Sequence, residues 1–123
     1  MMYSEAALCK QMDEGHTFLL AEINKEAVGN LSFNKEDGKN YFIHKFYVNT
    51  DLHRKGIGRT LLNETLKLLP MAETFELAVN RINWTAVNFY FKVGFIIKYS
   101  FDLEIGEGYY MNDYRMVLYL QNN

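Results

Sequence analysis

One segment of the chain, residues 41–69, limits the folds that the sequence can adopt. It begins with an apolar-rich stretch, Tyr41–Val48, that predicts a strand, and it ends with an amphipathic helix over about Gly58–Leu69. Between these elements lie Gly56 and Gly58, with basic residues on both sides. Glycine lets the backbone approach a ligand closely, and the first turn of a helix presents unpaired N–H groups at the positive end of its dipole. The segment therefore predicts a strand–loop–helix unit that can hold phosphate.

The spacing of the glycines distinguishes this loop from two other phosphate-binding loops. A Walker A loop requires Gly-x4-Gly-Lys-Ser/Thr, a spacing that does not occur in this sequence. A dinucleotide-binding fingerprint requires a third glycine three residues after the second, where this chain has Leu61. Two interpretations remain: a short loop that holds a diphosphate through its amides, and a plain turn that joins a strand to a helix.

Composition indicates a globular protein that works inside the cell. A chain of 123 residues with 49% apolar residues can bury a single core, so we predict one domain over residues 1–123. The net charge of −2 argues against a nucleic-acid partner, and no apolar run approaches the roughly 18–20 residues that a membrane span needs. The single cysteine, Cys9, and the absence of a signal-peptide pattern lead us to expect a cytoplasmic protein.

The remaining pattern predicts an α/β-type mixed sheet. An antiparallel meander comes first, and a β-α-β-α-β-β series follows. The helical crossover after Tyr41–Val48 makes this strand parallel to the next one, Thr74–Val79. The predicted elements are a helix over Ser4–Met12, strands over His16–Ile23, Ala27–Asn34 and Tyr41–Val48, a helix over about Gly58–Leu69, a strand over Thr74–Val79, a helix over Asn83–Val93, and strands over Phe95–Leu103 and Tyr114–Leu120.

The helix over Asn83–Val93 carries a second group of residues that bears on function. At 100° per residue, Asn83, Ala86 and Tyr90 fall within roughly 60° of one another, so one helix face presents an amide, a gap and a phenol. Taken alone, Asn83 is an ordinary helix N-cap and Tyr90 an ordinary core tyrosine. Their joint spacing after the glycine loop favours a site.

These two groups of residues resemble the signature motifs of the GNAT-type N-acetyltransferase superfamily. The motifs are Gly56-Ile57-Gly58 and Asn83-x2-Ala86-x2-Phe89-Tyr90-x3-Gly94-Phe95, and the resemblance covers roughly residues 3–121. It implies transfer of an acetyl group from acetyl-CoA to a primary amine of a small molecule or peptide, by direct attack in a ternary complex and without a metal. It also implies that two parallel strands, here Tyr41–Val48 and Thr74–Val79, part so that the pantetheine arm of CoA inserts between them.

The resemblance further implies roles for single residues. The backbone of Phe46, Tyr47 and Val48 would contact the pantetheine and the acetyl carbonyl. Asn83 would bond the cofactor arm, and Tyr90 would protonate the departing thiolate. The diphosphate would lie on the glycine loop and the first helical turn, which comprise His53, Arg54, Lys55, Gly56, Ile57, Gly58 and Arg59. His53 stands where the family usually has Gln or Arg, which weakens that side-chain contact.

The general base is less determined than the cofactor site. Family members often carry a glutamate on the strand before the glycine loop, whereas this strand carries His44. Its ordinary pKa suits a base near neutral pH, although a strand histidine is often structural. Glu22 and Asp113 are weaker candidates. The three histidines are dispersed along the chain without metal-ligand spacing, so we predict no metal site.

Two segments affect the expected acceptor site. Asp102–Tyr114 resembles the loop between the last two strands in a bacterial branch of the superfamily, where its tyrosines and acids would favour a cationic amine. Packing of these tyrosines in a homodimer is an equal alternative. Family members usually begin with another strand and helix, so we expect an N-terminally short domain in which His16–Ile23 is a possible sheet edge. A CoA-binding or oligomeric interaction module without turnover is therefore the main alternative to an enzyme, and nucleotide binding is a more distant one.

Overall fold

The computed structural model describes residues 6–13, 15–49 and 56–120, and for residues 6–13 it describes the backbone only. These ranges form seven strands and two helices. The strands are β1 (Ala6–Asp13), β2 (His16–Ile23), β3 (Glu26–Asp37), β4 (Asn40–Val48), β5 (Thr74–Asn80), β6 (Ile96–Gly106) and β7 (Tyr109–Tyr119), and the helices are α1 (Ile57–Leu68) and α2 (Trp84–Lys92).

The seven strands form one mixed sheet in the order β1-β2-β3-β4-β5-β7-β6. Strands β1 to β4 are an antiparallel meander, β4 and β5 are parallel, and β7 runs antiparallel between β5 and β6. This arrangement confirms the predicted mixed sheet, including the parallel pair on either side of α1.

The helix predicted over Ser4–Met12 is wrong in the part that the structure describes. Ala6–Asp13 is a strand that pairs antiparallel with β2 over its whole length. Strand β2 is therefore covered by β1 and is not a sheet edge. A capping signal is a local and weak preference, whereas pairing with β2 gives hydrogen-bond partners to the backbone of an entire segment.

The segment predicted as a loop over Asp102–Tyr114 is mostly a hairpin. Strand β6 continues to Gly106, and β7 begins at Tyr109, before the predicted start at Tyr114. The predicted chain reversal at 106–108 is confirmed, since all three residues have positive φ angles of 119°, 52° and 81°. Alternation of polar and apolar residues could not reveal the full length of β6, because this strand is exposed on both faces along nearly all its length.

Both helices lie on the same face of the sheet. The buried apolar cluster unites side chains of α1 and α2 with side chains of β2, β3, β4, β5 and β7. Gly29 lets α1 approach closely: a Cβ there would lie 3.0 Å from the Tyr47 carbonyl oxygen and 3.1 Å from Cδ1 of Leu61. Helix α2 ends as predicted at Gly94, which has a φ of 110° and is followed by a hydrogen bond from the Phe95 N–H to the Tyr90 carbonyl at 2.9 Å.

The opposite face of the sheet, which we call the open face, carries an ion-pair network and, within the described residues, no helix. Arg115 donates to Glu76 at 2.6 Å and to both carboxylate oxygens of Glu36 at 2.8 and 2.9 Å, while Lys98 donates to Glu76 at 2.9 Å. The Arg115 guanidinium also lies 4.4 Å from the centre of the Phe42 ring. The network therefore joins five neighbouring strands across this face. In the ranges described, no helix is long and apolar enough to cross a membrane.

Candidate active site

The site begins where β4 and β5 separate. The two strands pair at only three positions, from Asn40 with Thr74 to Phe42 with Glu76. From Ile43 onward β4 has no partner on β5, and from Leu77 onward β5 has none on β4 within the described residues. Each strand therefore presents a row of unpaired backbone N–H and C=O groups toward the gap, and such groups require water or a ligand.

A β-bulge in β4 coincides with the separation. Ser32 of β3 pairs with Lys45, but the next residue, Phe33, pairs with Ile43, so His44 is an extra residue in β4. A bulge bends its strand and increases the local twist, which turns β4 away from β5 at this point. The bulge also lets Ile43 and Phe46 both join the core on the helix side.

The gap between the strands forms a cavity of about 260 Å³, which we call the slot. Consecutive residues of β5, Leu77–Asn80, line it, as expected of a gap that runs along a strand edge. Ten residues line the slot: Ile43, His44, Phe46, Leu77, Ala78, Val79, Asn80, Asn83, Ala86 and Tyr90. The structure thus brings together His44, Phe46, Asn83 and Tyr90, four of the residues that the sequence placed in the site.

Asn83 caps α2 and still faces the slot. Its side-chain oxygen accepts a hydrogen bond from the Ala86 N–H at 3.3 Å, which is the N-cap interaction expected of this residue type. The cap uses only the oxygen of the amide, so the NH₂ group keeps two donors for a ligand. The capping and ligand-binding interpretations of Asn83 are therefore compatible.

Tyr90 lies deep on the helix side of the slot and is only 8% exposed. Its ring packs between Phe46 and Phe95, with centroid distances of 5.9 and 5.6 Å. Burial raises the pKa of Tyr90 to about 12, because the phenolate would lose its hydration. The phenol therefore keeps its proton at neutral pH and can act as a proton donor.

His44 lies on the side of the slot away from Tyr90, at the open face of the sheet. Its Nε2 is 2.6 Å from Oδ1 of Asn34, a residue to which the sequence assigned no role. Since a carbonyl oxygen only accepts, this contact places the proton on Nε2 and leaves Nδ1 as the basic nitrogen. Burial and the neighbouring His16 lower the pKa of His44, so the imidazole is neutral and able to accept a proton at neutral pH.

Two of the histidines that are dispersed along the sequence approach each other in the fold. The ring centroids of His16 and His44 lie 4.5 Å apart. This is possible because β2 and β4, which carry them, pair with opposite edges of β3 near Asn34. Within the described residues, no group of three or more His, Cys, Asp or Glu side chains is arranged to hold a metal. His53 lies outside the described residues.

The glycine loop is described only from Gly56 onward, so His53, Arg54 and Lys55 lie outside the described residues. Gly56 is the N-cap of α1 with a left-handed φ of 71° and no side-chain cap. The first turn of α1, which includes Ile57, Gly58 and Arg59, therefore has backbone N–H groups without an intrahelical acceptor. The Ile57 side chain is buried in the core and the Arg59 side chain is exposed, so only Arg59 offers its side chain to a ligand here.

The other predicted residues lie around the slot or apart from it. Tyr47 and Val48 follow Phe46 on the part of β4 that pairs with β3 but not with β5. Glu22 and Asp113, the weaker candidates for the base, do not line the slot. Asp113 is instead buried on β7 opposite Asn80.

Sequence reasoning missed Asn80, which lies at the end of β5 and lines the slot. Its side-chain oxygen accepts a hydrogen bond from the Ile82 N–H at 3.0 Å, and its carbonyl accepts one from the Asn83 N–H at 3.0 Å. The next residue, Arg81, forms an ion pair with Asp102 of β6 at 2.6 Å. These contacts hold the β5–α2 connection against the hairpin, and the Asn80-x2-Asn83 spacing was the available signal for such a turn.

Comparison with known proteins decides the family of this fold and slot. Residues 1–116 match the family described as Acetyltransferase (GNAT) domain. The chain belongs to the GNAT acetyltransferase family. It is thus an acyltransferase by family, in agreement with the resemblance read from its two motifs. No curated protein matches the sequence.

Solved structures of other acetyltransferases share the fold of this GNAT chain. Ard1 from Thermoplasma volcanium is 25% identical with a TM-score of 0.75, covering 85% of this chain and 71% of that one. A GNAT family acetyltransferase from Elizabethkingia anophelis with acetyl-CoA bound is 15% identical with a TM-score of 0.75, covering 95% of this chain and 99% of that one. Naa50 from Arabidopsis thaliana, in complex with the bisubstrate analogue CoA-Ac-MVNAL, is 24% identical with a TM-score of 0.69, covering 84% of this chain and 72% of that one.

Proposed function

We propose that this protein is an N-acetyltransferase that moves the acetyl group of acetyl-CoA to a primary amine by direct attack in a ternary complex. The observation that carries the proposal is the slot between β4 and β5, which has a protonated phenol on one side and a neutral imidazole on the other. A direct transfer requires a donor and an acceptor that approach one reacting carbon from different directions, and we expect the gap between the two strands to admit them from opposite faces of the sheet.

The slot suits an extended donor that carries amide groups. The pantetheine arm of CoA contains two amides, which would pair with the edge of β4 that faces away from β3 at Phe46, Tyr47 and Val48, as an added strand does. The NH₂ group of Asn83 would bond the same arm. The diphosphate would lie on the first-turn N–H groups of α1 at Gly56–Arg59, with His53, Arg54 and Lys55 contributing from the preceding segment.

Starting from a cationic amine, the reaction removes two protons from the nitrogen and supplies one to the departing sulfur. A lysine-like amine has an ordinary pKa of about 10.4 and must lose a proton before its nitrogen can attack the thioester carbonyl. Nδ1 of His44 would take that proton on the open side. As the C–N bond forms, backbone N–H groups of β4 would stabilise the oxyanion, and the attacking nitrogen still carries one proton more than the amide product. As the C–S bond breaks, the Tyr90 hydroxyl would donate a proton to the departing sulfur and would regain one from that nitrogen, directly or through water.

The acceptor would enter from the open face of the sheet, beside the β6–β7 hairpin. A solved relative of the fold holds a bisubstrate analogue with a peptide portion, and this supports a peptide amine as one acceptor class. Glu104, an exposed acidic residue of β6, would favour acceptors with positive charge, so small cationic amines are the second class.

We also propose the domain organisation, the cellular location and the partners that the sequence led us to expect. Residues 1–123 would form one acetyltransferase domain of bacterial type, acting in the cytoplasm as a homodimer, with no nucleic-acid or membrane partner. The GNAT family acetyltransferase from Elizabethkingia anophelis, solved with acetyl-CoA bound, aligns over 95% of this chain and 99% of its own. This supports donor binding by the fold that the two chains share.

An acetylation screen tests the proposal directly. Purified protein is incubated with acetyl-CoA and polyamines, aminoglycosides, amino acids or peptides, and release of free CoA thiol is followed together with the mass of the acceptor. We expect one acceptor class to gain an acetyl group. A thermal shift with CoA but turnover of no amine would support a binding module instead, and a larger shift with ATP than with CoA would indicate nucleotide binding.

A further inference from the structure

One buried carboxylate of the chain has no charge partner. Asp113 of β7 is only 6% exposed, and among the described residues its side chain forms no ion pair and no hydrogen bond. The two neighbouring cations are engaged elsewhere: Arg115 pairs with two glutamates of the ion-pair network, and Arg81 pairs with Asp102. A carboxylate that is withdrawn from water without a partner is costly, so Asp113 calls for a cation from outside the chain.

The carboxylate of Asp113 is within reach of a ligand. Every fully buried side-chain oxygen or nitrogen of the described residues has a hydrogen-bond partner. Because the carboxylate oxygens of Asp113 have none, they are not sealed inside the protein and must touch solvent. A small cationic group that approaches from solvent can therefore pair with this carboxylate.

Asp113 lies on the open face of the sheet, one strand away from the slot. Directly opposed residues of antiparallel strands share a face, and Asp113 is opposed to Asn80 of β5, which lines the slot. Asn80 follows Glu76 of the ion-pair network by four positions, so the alternation of side chains places both on the open face. Between them Ala78 also lines the slot, and both Ala78 and Asn80 are exposed. The path from the slot to Asp113 thus crosses β5 over short side chains.

The neighbour of Asp113 on its other side is aromatic. Phe101 of β6 is directly opposed to Asp113, and its ring centroid lies 6.0 Å from that of Tyr99 in an edge-to-face arrangement. The Phe101 side chain is half-buried, and Tyr99 is 49% exposed. Aromatic faces attract cations, and aromatic rings also bury methylene groups. A carboxylate beside an aromatic pair has the chemistry that recognises an alkylammonium group.

We propose that Asp113 binds a second cationic group of the acceptor, so that small diamines are the preferred acceptors. This inference rests on the proposed function, because it takes the slot as the place of the reacting amine. Neighbouring strands lie about 4.8 Å apart, so groups on either side of β5 are on the order of 8 Å apart, which is about the span of a diamine with five methylene groups. Asp113 acts here on specificity and not as the general base, since β5 separates it from the slot.

The first test compares cadaverine, a diamine with this span, with aminopentanol, in which a hydroxyl group replaces the second amino group. In the wild type, kcat/KM should be about 10–100-fold higher for cadaverine, as expected for a hydrogen bond between charged groups. Asp113→Asn should remove this preference mainly by raising the KM for cadaverine, with kcat/KM for aminopentanol nearly unchanged. Glu107→Gln removes an equal charge at the exposed turn of the same hairpin and should keep the preference.

Two kinetic outcomes overturn the inference while leaving amine acetylation intact. One is an equal kcat/KM for the two acceptors in the wild type, or a preference that survives Asp113→Asn. The other is an effect of Asp113→Asn that is confined to peptides with a basic second residue, which would assign the carboxylate to peptides instead of diamines.

The second test measures binding and does not require turnover. Cadaverine is titrated calorimetrically into the protein saturated with CoA, where it should bind the wild type about 10–100-fold more tightly than Asp113→Asn. Equal affinity for the two proteins, or no binding to the wild type, overturns the inference. Binding that depends on Asp113 without acetylation of any amine would support the inference and contradict the proposed function.

The thermal stability of the ligand-free protein separates recognition from a structural role. Because Asp113 is buried without a partner, Asp113→Asn should leave the Tm of the ligand-free protein unchanged or raise it. Cadaverine should raise the Tm of the wild type and not that of the variant. A marked loss of Tm in the ligand-free variant would show that the carboxylate supports the fold, and would overturn the inference.

Discussion

Gly58 of α1 lies directly against Phe89 of α2: a Cβ at Gly58 would be 2.9 Å from Cζ of the Phe89 ring and 3.4 Å from Cγ2 of Val48. The Phe89 ring in turn packs against Phe46 at 5.7 Å and Tyr90 at 5.8 Å between centroids. The second glycine of the loop therefore lets the two helices meet, and this contact supports two aromatic residues of the slot.

Replacement of Gly58 by alanine should destabilise the protein and disturb the slot. The added methyl group gains up to about 1 kcal/mol of helix propensity, but it must displace a ring that is packed on two others, at a cost of roughly 1–3 kcal/mol. We expect a net loss in the free energy of unfolding and a lower kcat, measured by denaturant titration and by acetylation assay. The companion change Phe89→Leu removes Cζ, so the double variant should lose less stability than the sum of the two single variants. Additive losses would argue against this contact.

Tyr90→Phe should lower kcat about tenfold or more while leaving the affinity for CoA nearly unchanged. The change removes the proton donor and keeps the ring that packs between Phe46 and Phe95. Because the pKa of Tyr90 is raised to about 12 by burial, its loss should reduce the rate at every pH from about 6 to 10 and should not create a new alkaline limb. Tyr41→Phe removes a hydroxyl from β4 outside the slot and serves as the control. Equal rates for Tyr90→Phe and wild type would remove Tyr90 from the chemistry.

The sequence was informative about the site where the relevant residues share one element. Asn83, the N-cap of α2, lies on the same side of the helix as Ala86 and Tyr90, so helix periodicity alone predicted that the three residues are close together. The capping preference of Asn83 also predicted the first residue of the helix to within one position. The parallel arrangement of β4 and β5 was also predictable, because a helical crossover leaves few alternatives.

Features that depend on strand register were not predictable from one sequence. His44 approaches His16 only because a bulge and two hairpin registers position them over Asn34. The alternation Asn30-Leu31-Ser32-Phe33-Asn34 in β3 indicates which side chains share a face, but it does not say which residues of β2 and β4 lie opposite them or where a bulge falls. The prediction of a helix over Ser4–Met12 failed for a related reason: a strand that pairs with a neighbour is stabilised by contacts that the segment itself does not encode.

The decrease of kcat/KM at low pH, the acidic limb of its pH profile, should reflect protonation of His44. Its pKa is lowered by burial and by His16, so kcat/KM should fall only when the pH drops below the ordinary histidine value of 6.5. Asn34→Asp places a carboxylate 2.6 Å from Nε2, stabilises the imidazolium and should move the limb to higher pH. His44→Gln should remove the limb and lower the rate about a hundredfold. An unchanged profile in both variants would show that another group, or water, removes the amine proton.

The ion-pair network on the open face should make stability depend on pH through Glu76. Burial by itself raises the pKa of this carboxyl group, but hydrogen bonds from Lys98 and Arg115 outweigh burial and leave the pKa below the ordinary value of 4.5. A carboxyl group whose pKa is lower in the folded chain than in the unfolded chain binds fewer protons when folded. Its contribution to stability is therefore complete above the unfolded-state pKa of 4.5 and is lost as the pH falls through the lower, folded-state pKa.

Glu76→Gln isolates this contribution. The amide keeps the shape of the side chain but cannot pair with two cations, so we expect a loss of about 2 kcal/mol at neutral pH, as for hydrogen bonds to charged groups. The difference between the Glu76→Gln variant and wild type in the free energy of unfolding should shrink as the pH falls from about 5 to 3, measured by urea titration at each pH. Glu73→Gln, on the exposed connection before β5, provides a matched change outside the network and should be neutral at every pH. A difference between Glu76→Gln and wild type that does not change with pH would mean that the carboxylate charge contributes little and that only its shape matters.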